Sequence, residues 1–278
     1  MTQPSWHSDR PAVRVRPGLL GWTLLAVRAV TMAVVVFGGL GILLVLRLIE
    51  WPLFGVRRPL TPYLTVFVCW CALRIIGIRH VVHGTPMKGP GAIVANHVSW
   101  IDIYVLNATK RIYFVAKAEV SGWFGIGWLA RATGTVFVER NRTKAKAQTQ
   151  LFKERLQSGH KLLFFPEGTS TDGMQVLPFK STLFQSFFAH DLRDDLCIQP
   201  VTLSYIAPPG AETHYYGWWG DMSFGQSLPL LLSPLRHGRV EVTYHAPLRV
   251  RDFDSRKDLA AAAERAVRSA HVHSQITP

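Results

Sequence analysis

Two residues five positions apart, His97 and Asp102, have the side chains of a general base and its carboxylate partner. A histidine can take a proton from a hydroxyl group, while a carboxylate on the far imidazole nitrogen fixes the tautomer and stabilises the imidazolium. The spacing alone is weak evidence, because His190 and Asp195 repeat it in a polar stretch, and we interpret that pair as incidental. Ser99 with Asp102 also fits the start of a helix, and both interpretations can hold together.

Further candidate groups follow two other apolar runs. Glu167 and Gly168 come directly after residues 161–165, in the segment FPEGTS. A glutamate accepts hydrogen bonds from hydroxyl groups, and a glycine lets backbone N–H groups approach a ligand, although an ordinary tight turn has the same composition. Arg140 follows residues 135–139 and has the geometry to bind a phosphate or a carboxylate. The alternative interpretation is an ordinary solvated arginine at the surface.

The runs that precede these residues predict the strands of an α/β domain beginning near residue 80. Predicted strands cover residues 91–95, 112–116, 135–139, 161–165, 197–203 and 239–245. Predicted helices cover residues 143–158, with Gly159 at the C-terminal end, and residues 259–270, after a capping segment at Ser255. His97 and Glu167 would both lie at carboxyl ends of strands, where open α/β sheets bind ligands.

The N-terminal part of the chain predicts membrane attachment. Residues 29–46 are 18 uncharged residues, about 27 Å as a helix, and residues 59–73 form a second apolar run. Glu50, Trp51 and Pro52 through Arg58 suit an interfacial turn, so the two runs predict a helical hairpin that either re-enters or spans the bilayer. A signal peptide is disfavoured by the long charged leader and the lack of a cleavage site.

The composition narrows the classes of partner. The chain has 278 residues, 48% hydrophobic and 18% charged, which excludes disorder, and its formal net charge is +13. Such an excess suits nucleic acid, anionic lipid or an acidic carrier protein, but no zinc finger, basic zipper or RNP motif indicates nucleic acid. The three cysteines fit packing residues in a reducing compartment. His80 with His83 is too small a cluster for a metal site, and we interpret the two as ordinary turn and surface histidines.

Four blocks in order resemble the glycerolipid and lysophospholipid acyltransferases that share an HxxxxD motif. NHVSWID resembles the first block, GTVFVER the second, FPEGTS the third and Gln199-Pro200-Val201 the fourth, within about residues 75–203. The resemblance implies an α/β fold, with a central mixed sheet flanked by helices, behind an apolar helical hairpin. The expected divisions are a basic leader over residues 1–17, a membrane hairpin over 18–79 and the acyltransferase domain over 80–278.

The resemblance implies a reaction and its participants. A fatty acyl group would pass from a thioester of acyl carrier protein or coenzyme A to a lipid hydroxyl, with no metal or prosthetic group. His97 would take the hydroxyl proton, Asp102 would orient His97, and Lys117 matches a family lysine that stabilises the oxyanion. The expected location is a bacterial inner membrane, with the catalytic domain facing the cytoplasm.

The same resemblance assigns acceptor binding to Arg140, Glu167 and Gly168, with Thr169 assisting. Family members that acylate 1-acylglycerol 3-phosphate usually carry arginine after EGT, whereas this chain has Ser170. The wider text FPEGTSTDG resembles the lyso-ornithine lipid acyltransferases of α-proteobacteria, whose acceptor carries a cationic amine. Lysophosphatidate remains an alternative acceptor, because Arg140 has the chemistry to bind phosphate.

Two other classes of protein fit the sequence less well. A serine hydrolase would use a G-x-S-x-G elbow, and the sequence contains none. A membrane adaptor would share the anchor and the charge, but it would have no need for His97, Asp102 and Glu167 at strand ends.

Overall fold

The computed structural model describes residues 6–123, 125–139, 145–188 and 190–272. The described helices are α1 Leu19–Phe54, α2 Thr61–Ile76, α3 Asp102–Asn107, α4 Ile126–Thr133, α5 Ala145–Gln157, α6 His190–Arg193, α7 Phe224–Leu232 and α8 Arg256–Ser269. The described strands are β1 Arg79–His83, β2 Gly91–Ala95, β3 Tyr113–Lys117, β4 Val136–Val138, β5 Leu162–Phe164, β6 Cys197–Ile206, β7 Arg239–Tyr244 and β8 Leu248–Arg249.

The strands form one mixed sheet in the order β1-β7-β6-β2-β5-β3-β4, and β8 pairs with β6. Strands β6, β2, β5, β3 and β4 are mutually parallel, whereas β7 runs antiparallel to β6. The carboxyl ends of the parallel strands therefore meet at one edge of the sheet. The predicted mixed α/β fold is confirmed.

Strand β2 lies in the middle of the sheet, and all five of its residues are buried. Ile93 and Ala95 pack into the apolar layer on one side of the sheet, while Ala92 and Val94 pack into the layer on the other. A strand covered on both faces has a continuous apolar sequence rather than an alternating one. The apolar run GAIVA therefore begins and ends at the same residues as strand β2.

The other predicted strands are also present. Four of them match within one residue at each end, and β6 runs three residues beyond its predicted end. Helix α5 begins at Ala145, since residues 143–144 lie outside the described part, and Ser255 Oγ accepts N–H bonds from Lys257 and Asp258 at the start of α8. The interpretation of His80 and His83 as turn residues was wrong: both belong to β1, a strand with exposed ends that pairs only with β7.

Helices α1 and α2 pack against each other as the predicted hairpin, with Gly39 of α1 facing Val68 of α2. Helix α1 has 36 residues, about 54 Å, and is long and apolar enough to cross a membrane. Helix α2 has 16 residues and is shorter than a typical span. Most of the large exposed apolar side chains of the chain lie on these two helices.

The predicted interfacial turn began too early. Glu50, Trp51 and Pro52 lie within α1, which ends at Phe54. The Glu50 carboxylate is buried and accepts hydrogen bonds from the N–H groups of Leu60 and Thr61, at the start of α2. These hydrogen bonds offset the cost of burying the Glu50 carboxylate, which would otherwise favour a position in water. They also join the two helices at the turn.

Residues 6–17, within the predicted leader, lie against the α/β domain. The Ser8 hydroxyl donates to Asp172 Oδ2 over 2.6 Å, and the Gly220 N–H donates to the Trp6 carbonyl. Val13 and Val15 pack onto the same apolar layer as β2. The segment therefore contacts the loop that follows Gly168.

Candidate active site

The His97–Asp102 pair lies in the loop between β2 and α3. His97 Nδ1 is 2.8 Å from Asp102 Oδ2, and the Asp102 side chain is fully buried, while the His97 side chain is 19% exposed. Asp102 is the first residue of α3, and its Oδ2 also accepts N–H bonds from Val98 and Ser99. The helix-start interpretation is correct for Asp102, which lies in the first turn of α3, but the N-cap residue is Ile101 and not Ser99. The same Asp102 carboxylate contacts the imidazole and closes the loop that leads into the helix.

A buried tyrosine completes the surroundings of Asp102. The Tyr205 hydroxyl, on β6, donates to Asp102 Oδ1 over 2.6 Å. Burial raises the pKa of Tyr205, with the charge of Asp102 adding to it, so this hydroxyl keeps its proton and acts as a donor. With Oδ2 facing His97 and Oδ1 facing Tyr205, the carboxylate is held from both sides.

Asn96 fixes the end of β2 directly before His97. Its Nδ2 donates to the Leu203 carbonyl over 2.9 Å, and its Oδ1 accepts from the Leu203 N–H over 2.7 Å. Asn96 is buried. The backbone that carries His97 is thus attached to β6, the strand that also carries Tyr205.

Glu167 lies behind His97 rather than at the surface. The carboxylate is 1% exposed, Oε1 accepts the His97 N–H over 2.7 Å, and Oε2 accepts the Leu177 N–H over 2.8 Å. Burial, with a contribution from the nearby charge of Asp102, raises the pKa of Glu167 to about 8, although the two N–H donors oppose the shift. In this position Glu167 holds the backbone of the candidate base.

The loop after Glu167 runs alongside His97. The His97 carbonyl accepts the Thr171 N–H over 3.0 Å, while the Thr169 hydroxyl bonds the Ser170 carbonyl. Gly168 has φ +73°, and a Cβ there would lie 2.7 Å from Lys180 Nζ. A left-handed backbone and a close side chain together explain the glycine at this position.

Aromatic packing holds the His97 ring. Its imidazole stacks on Phe165, the residue after β5, with ring centroids 4.0 Å apart and planes 12° apart. Phe165 in turn stacks on Phe114 of β3. Because Nδ1 faces Asp102, Nε2 is the ring nitrogen left to exchange a proton with a substrate.

The remaining predicted site residues lie on β3 and after β4. Lys117 is the last residue of β3 and is half-buried, at the same edge of the sheet as His97. Arg140, two residues beyond the end of β4, lies outside the described residues. Within the described residues, no group of three or more His, Cys, Asp or Glu side chains is placed to hold a metal ion.

Sequence reasoning found the pair and its neighbour Glu167 but missed Tyr205 and Asn96. The predicted strand ended at Leu203, two residues before Tyr205, and the tyrosine contacts an aspartate 103 residues earlier. Asn96 could have been identified from the sequence, because it directly precedes His97 of the motif.

Comparison with known proteins places this chain in a family. The sequence model of the Acyltransferase family matches residues 76–204. A lyso-ornithine lipid O-acyltransferase of Rhodobacter capsulatus is 54% identical over 269 residues, covering 97% of this chain and 98% of the relative. A second protein of that name, from Brucella abortus, is 37% identical over 70% of this chain and 77% of its own length.

A solved structure shows the same fold. The crystal structure of the 1-acyl-sn-glycerophosphate acyltransferase PlsC from Thermotoga maritima superposes with a TM-score of 0.63 at 21% identity, covering 94% of this chain and 96% of that one. Because the Rhodobacter capsulatus relative aligns over nearly the whole of both sequences, and residues 76–204 match the family model, the chain belongs to the PlsC-like acyltransferase family and is an acyltransferase.

Proposed function

We propose that this enzyme transfers a fatty acyl group from a thioester donor to the hydroxyl of lyso-ornithine lipid, producing ornithine lipid. The observation that carries the proposal is the 2.8 Å contact between His97 Nδ1 and the buried Asp102 carboxylate, which leaves Nε2 as a base at the carboxyl edge of the sheet. The names of the two relatives compared above support the choice of acceptor.

The proposed step is a direct displacement at the thioester carbonyl. His97 Nε2 takes the proton of the acceptor hydroxyl as that oxygen forms a bond to the carbonyl carbon. The carbon–sulfur bond then breaks, and the leaving thiolate takes the proton from the imidazolium. No acyl-enzyme, metal or prosthetic group takes part. Asp102 stabilises the imidazolium that exists between the two proton transfers.

Lys117 and the FPEGTS loop complete the proposed site. Lys117 supplies positive charge for the oxyanion that forms on the thioester carbonyl. Glu167 positions His97 by accepting the backbone N–H of His97. Gly168 and Thr169 shape the loop on the acceptor side. In this proposal Arg140 binds an anionic group of the acceptor headgroup, away from the cationic amine.

The acceptor proposal also depends on charge. Ser170 stands where an arginine would favour a phosphate, and lyso-ornithine lipid carries a cationic amine that an arginine would repel. The donor is acyl carrier protein or acyl coenzyme A, both anionic, which suits a chain with a net charge of +13. Lysophosphatidate is the competing acceptor.

We place the enzyme in the inner membrane of a bacterium, with the catalytic domain facing the cytoplasm. Helix α1 supplies a segment long and apolar enough to cross the bilayer. The three cysteines are free thiols, as is usual in a reducing compartment.

The test is acyl transfer by membranes containing the full chain, with labelled acyl-ACP or acyl-CoA and either lyso-ornithine lipid or lysophosphatidate. We expect label in ornithine lipid, loss of that label in His97→Ala, and full activity in His190→Ala, which alters the second His–Asp pair of the same spacing. Label in phosphatidate alone would transfer the assignment to the competing acceptor. Equal activity of wild type and His97→Ala would overturn the proposed mechanism.

A further inference from the structure

A cavity of about 550 Å³ lies beside the hairpin turn, between the C-terminal part of α1 and the end of α4. Its apolar lining comes mainly from α1, and arginines of α1, the hairpin turn and α4 make the rest of the lining basic. The principal lining residues are Leu44, Leu48 and Trp51 on the apolar wall, with Arg47, Arg58 and Arg131 supplying the charge. The three apolar side chains are all more than half exposed, so this wall continues into the surface that α1 presents to its surroundings.

This cavity lies at the opposite edge of the sheet from His97. Arg58 Nη1 donates to the Ala132 carbonyl over 2.6 Å, and Arg155 Nη2 donates to the Gly134 carbonyl, just before β4 begins. Tyr113, which stacks under Arg155, is the first residue of β3. The starts of β3 and β4 face away from the carboxyl edge, because both strands run parallel to β5 and β2.

Positive charge at the cavity exceeds negative charge. Four arginines line this cavity and a smaller one of about 160 Å³ beside it: Arg47, Arg58, Arg131 and Arg155. Two carboxylates lie among them, Glu154 in the smaller cavity and Glu50 at 3.3 Å from Arg47. Four arginines against two carboxylates leave two positive charges in excess, and Glu50 is already bonded to Leu60, just before α2, and to Thr61.

A buried histidine nearby reports the same positive potential. His160, two residues before β5, stacks on Tyr113 with ring centroids 4.2 Å apart. Burial, together with the charges of Arg155 and Arg58, lowers the pKa of His160 to about 3. The same arginine charges favour an anion in the neighbouring cavity.

We infer that this cavity binds the headgroup phosphate of an anionic membrane phospholipid, with the acyl chains lying along the exposed apolar side of α1. Arginine guanidinium groups bind phosphate oxygens bidentately, and basic pockets beside membrane helices suit lipid headgroups. An amphiphile matches both walls, whereas a soluble phosphate would leave Leu44 and Leu48 uncovered. The lipid is a separate ligand from the acyl acceptor, because the cavity and His97 occupy opposite edges of the sheet.

The experiment uses the full chain in detergent micelles, with phosphatidylglycerol or phosphatidylcholine of matched chain length added stepwise. Native mass spectrometry counts the retained lipids, and the thermal midpoint gives an apparent affinity. The test variants are Arg58→Gln and Arg131→Gln. Arg57→Gln is the matched control, since this exposed neighbour carries the same charge and does not line the cavity. Arg131 is exposed, so its variant stays informative if Arg58→Gln does not fold.

We expect wild type and Arg57→Gln to prefer phosphatidylglycerol, and we expect Arg58→Gln and Arg131→Gln to bind it about tenfold more weakly with phosphatidylcholine binding unchanged. Equal retention of the two lipids by wild type would overturn the inference. So would equal loss in Arg57→Gln and Arg131→Gln, which would indicate diffuse surface charge. Displacement of phosphatidylglycerol by equimolar coenzyme A or inorganic phosphate would assign the cavity to soluble phosphates and would also contradict the lipid.

Discussion

The Tyr205 hydroxyl lies 2.6 Å from Asp102 Oδ1, so the carboxylate that faces His97 is bonded to β6 as well as to its own loop. The four donors to Asp102 are the imidazole, two backbone N–H groups and this hydroxyl. A carboxylate with both oxygens occupied has little freedom to turn away from the imidazole. Tyr205 is therefore a positioning residue for the proposed base.

Tyr205→Phe should lower kcat about tenfold and leave KM for the lipid acceptor unchanged. The reason is that a hydrogen bond to a charged group contributes about 1.5–3 kcal/mol, and its loss lets Asp102 and His97 reorient. Steady-state kinetics of the purified variant give both constants. Tyr216→Phe is the control, because this neighbouring ring packs 5.4 Å from Tyr205 and its hydroxyl accepts from the Gly238 N–H. An equal fall of kcat in both variants would indicate general loosening of the core instead.

Glu167→Gln should remove a pH dependence of stability. The pKa of Glu167 is 4.5 in an exposed chain and about 8 in the fold, because burial disfavours the ionised form. Between these two values the unfolded chain loses the proton and the folded chain keeps it, so wild-type stability falls as the pH rises from about 4.5 to about 8. Thermal midpoints of both proteins across this range should show a steeper fall for wild type. Parallel curves would contradict the assignment.

His160→Phe should make the fold less sensitive to acid. The pKa of His160 falls from 6.5 to about 3 on folding, so below pH 6.5 the unfolded chain takes up a proton that the folded chain does not, and stability is lost as the pH falls. Neither ring nitrogen has a hydrogen-bond partner among the described residues, and a phenyl ring preserves the stack on Tyr113. We expect the thermal midpoint of the variant to exceed that of wild type by more at about pH 5 than at about pH 7.5. A constant difference would show that His160 does not titrate as proposed.

Gly168→Ala should destabilise the protein by roughly 1–2 kcal/mol, the usual cost of a left-handed backbone for a residue with a Cβ. The new methyl group would also displace Lys180 Nζ. Gly89→Ala is the matched control, because a Cβ there meets open space at an ordinary φ. Thermal midpoints compare the two, and an equal effect of both substitutions would contradict the explanation for Gly168.

Much of the site's framework could be predicted because it depends on local pattern. Strand β2 is buried on both faces, so its apolar run has clear ends, and the motif residues follow directly. The hairpin could be predicted for the same reason, since two apolar runs flank a short charged segment. The position of the turn between the two helices could not be predicted, because the burial of Glu50 depends on hydrogen bonds to the start of α2.

The parts that sequence reasoning missed depend on distant contacts. Tyr205 lies beyond the predicted end of its strand, and its partner is 103 residues away. The arginines of the cavity come from α1, the hairpin turn, α4 and α5, and only the fold brings them together. The backbone partners of Glu167 were likewise invisible, so sequence reasoning assigned it to the acceptor headgroup, a role that stays a prediction beside the positioning role that its contacts support.

The most direct test of the central claim, that His97 is the general base, is the kcat of purified His97→Ala with acyl-ACP and lyso-ornithine lipid. A general base contributes about 10²- to 10⁴-fold, so we expect a loss of that size with an unchanged thermal midpoint. Turnover within a few-fold of wild type, in a protein that folds normally, would show that another group removes the proton.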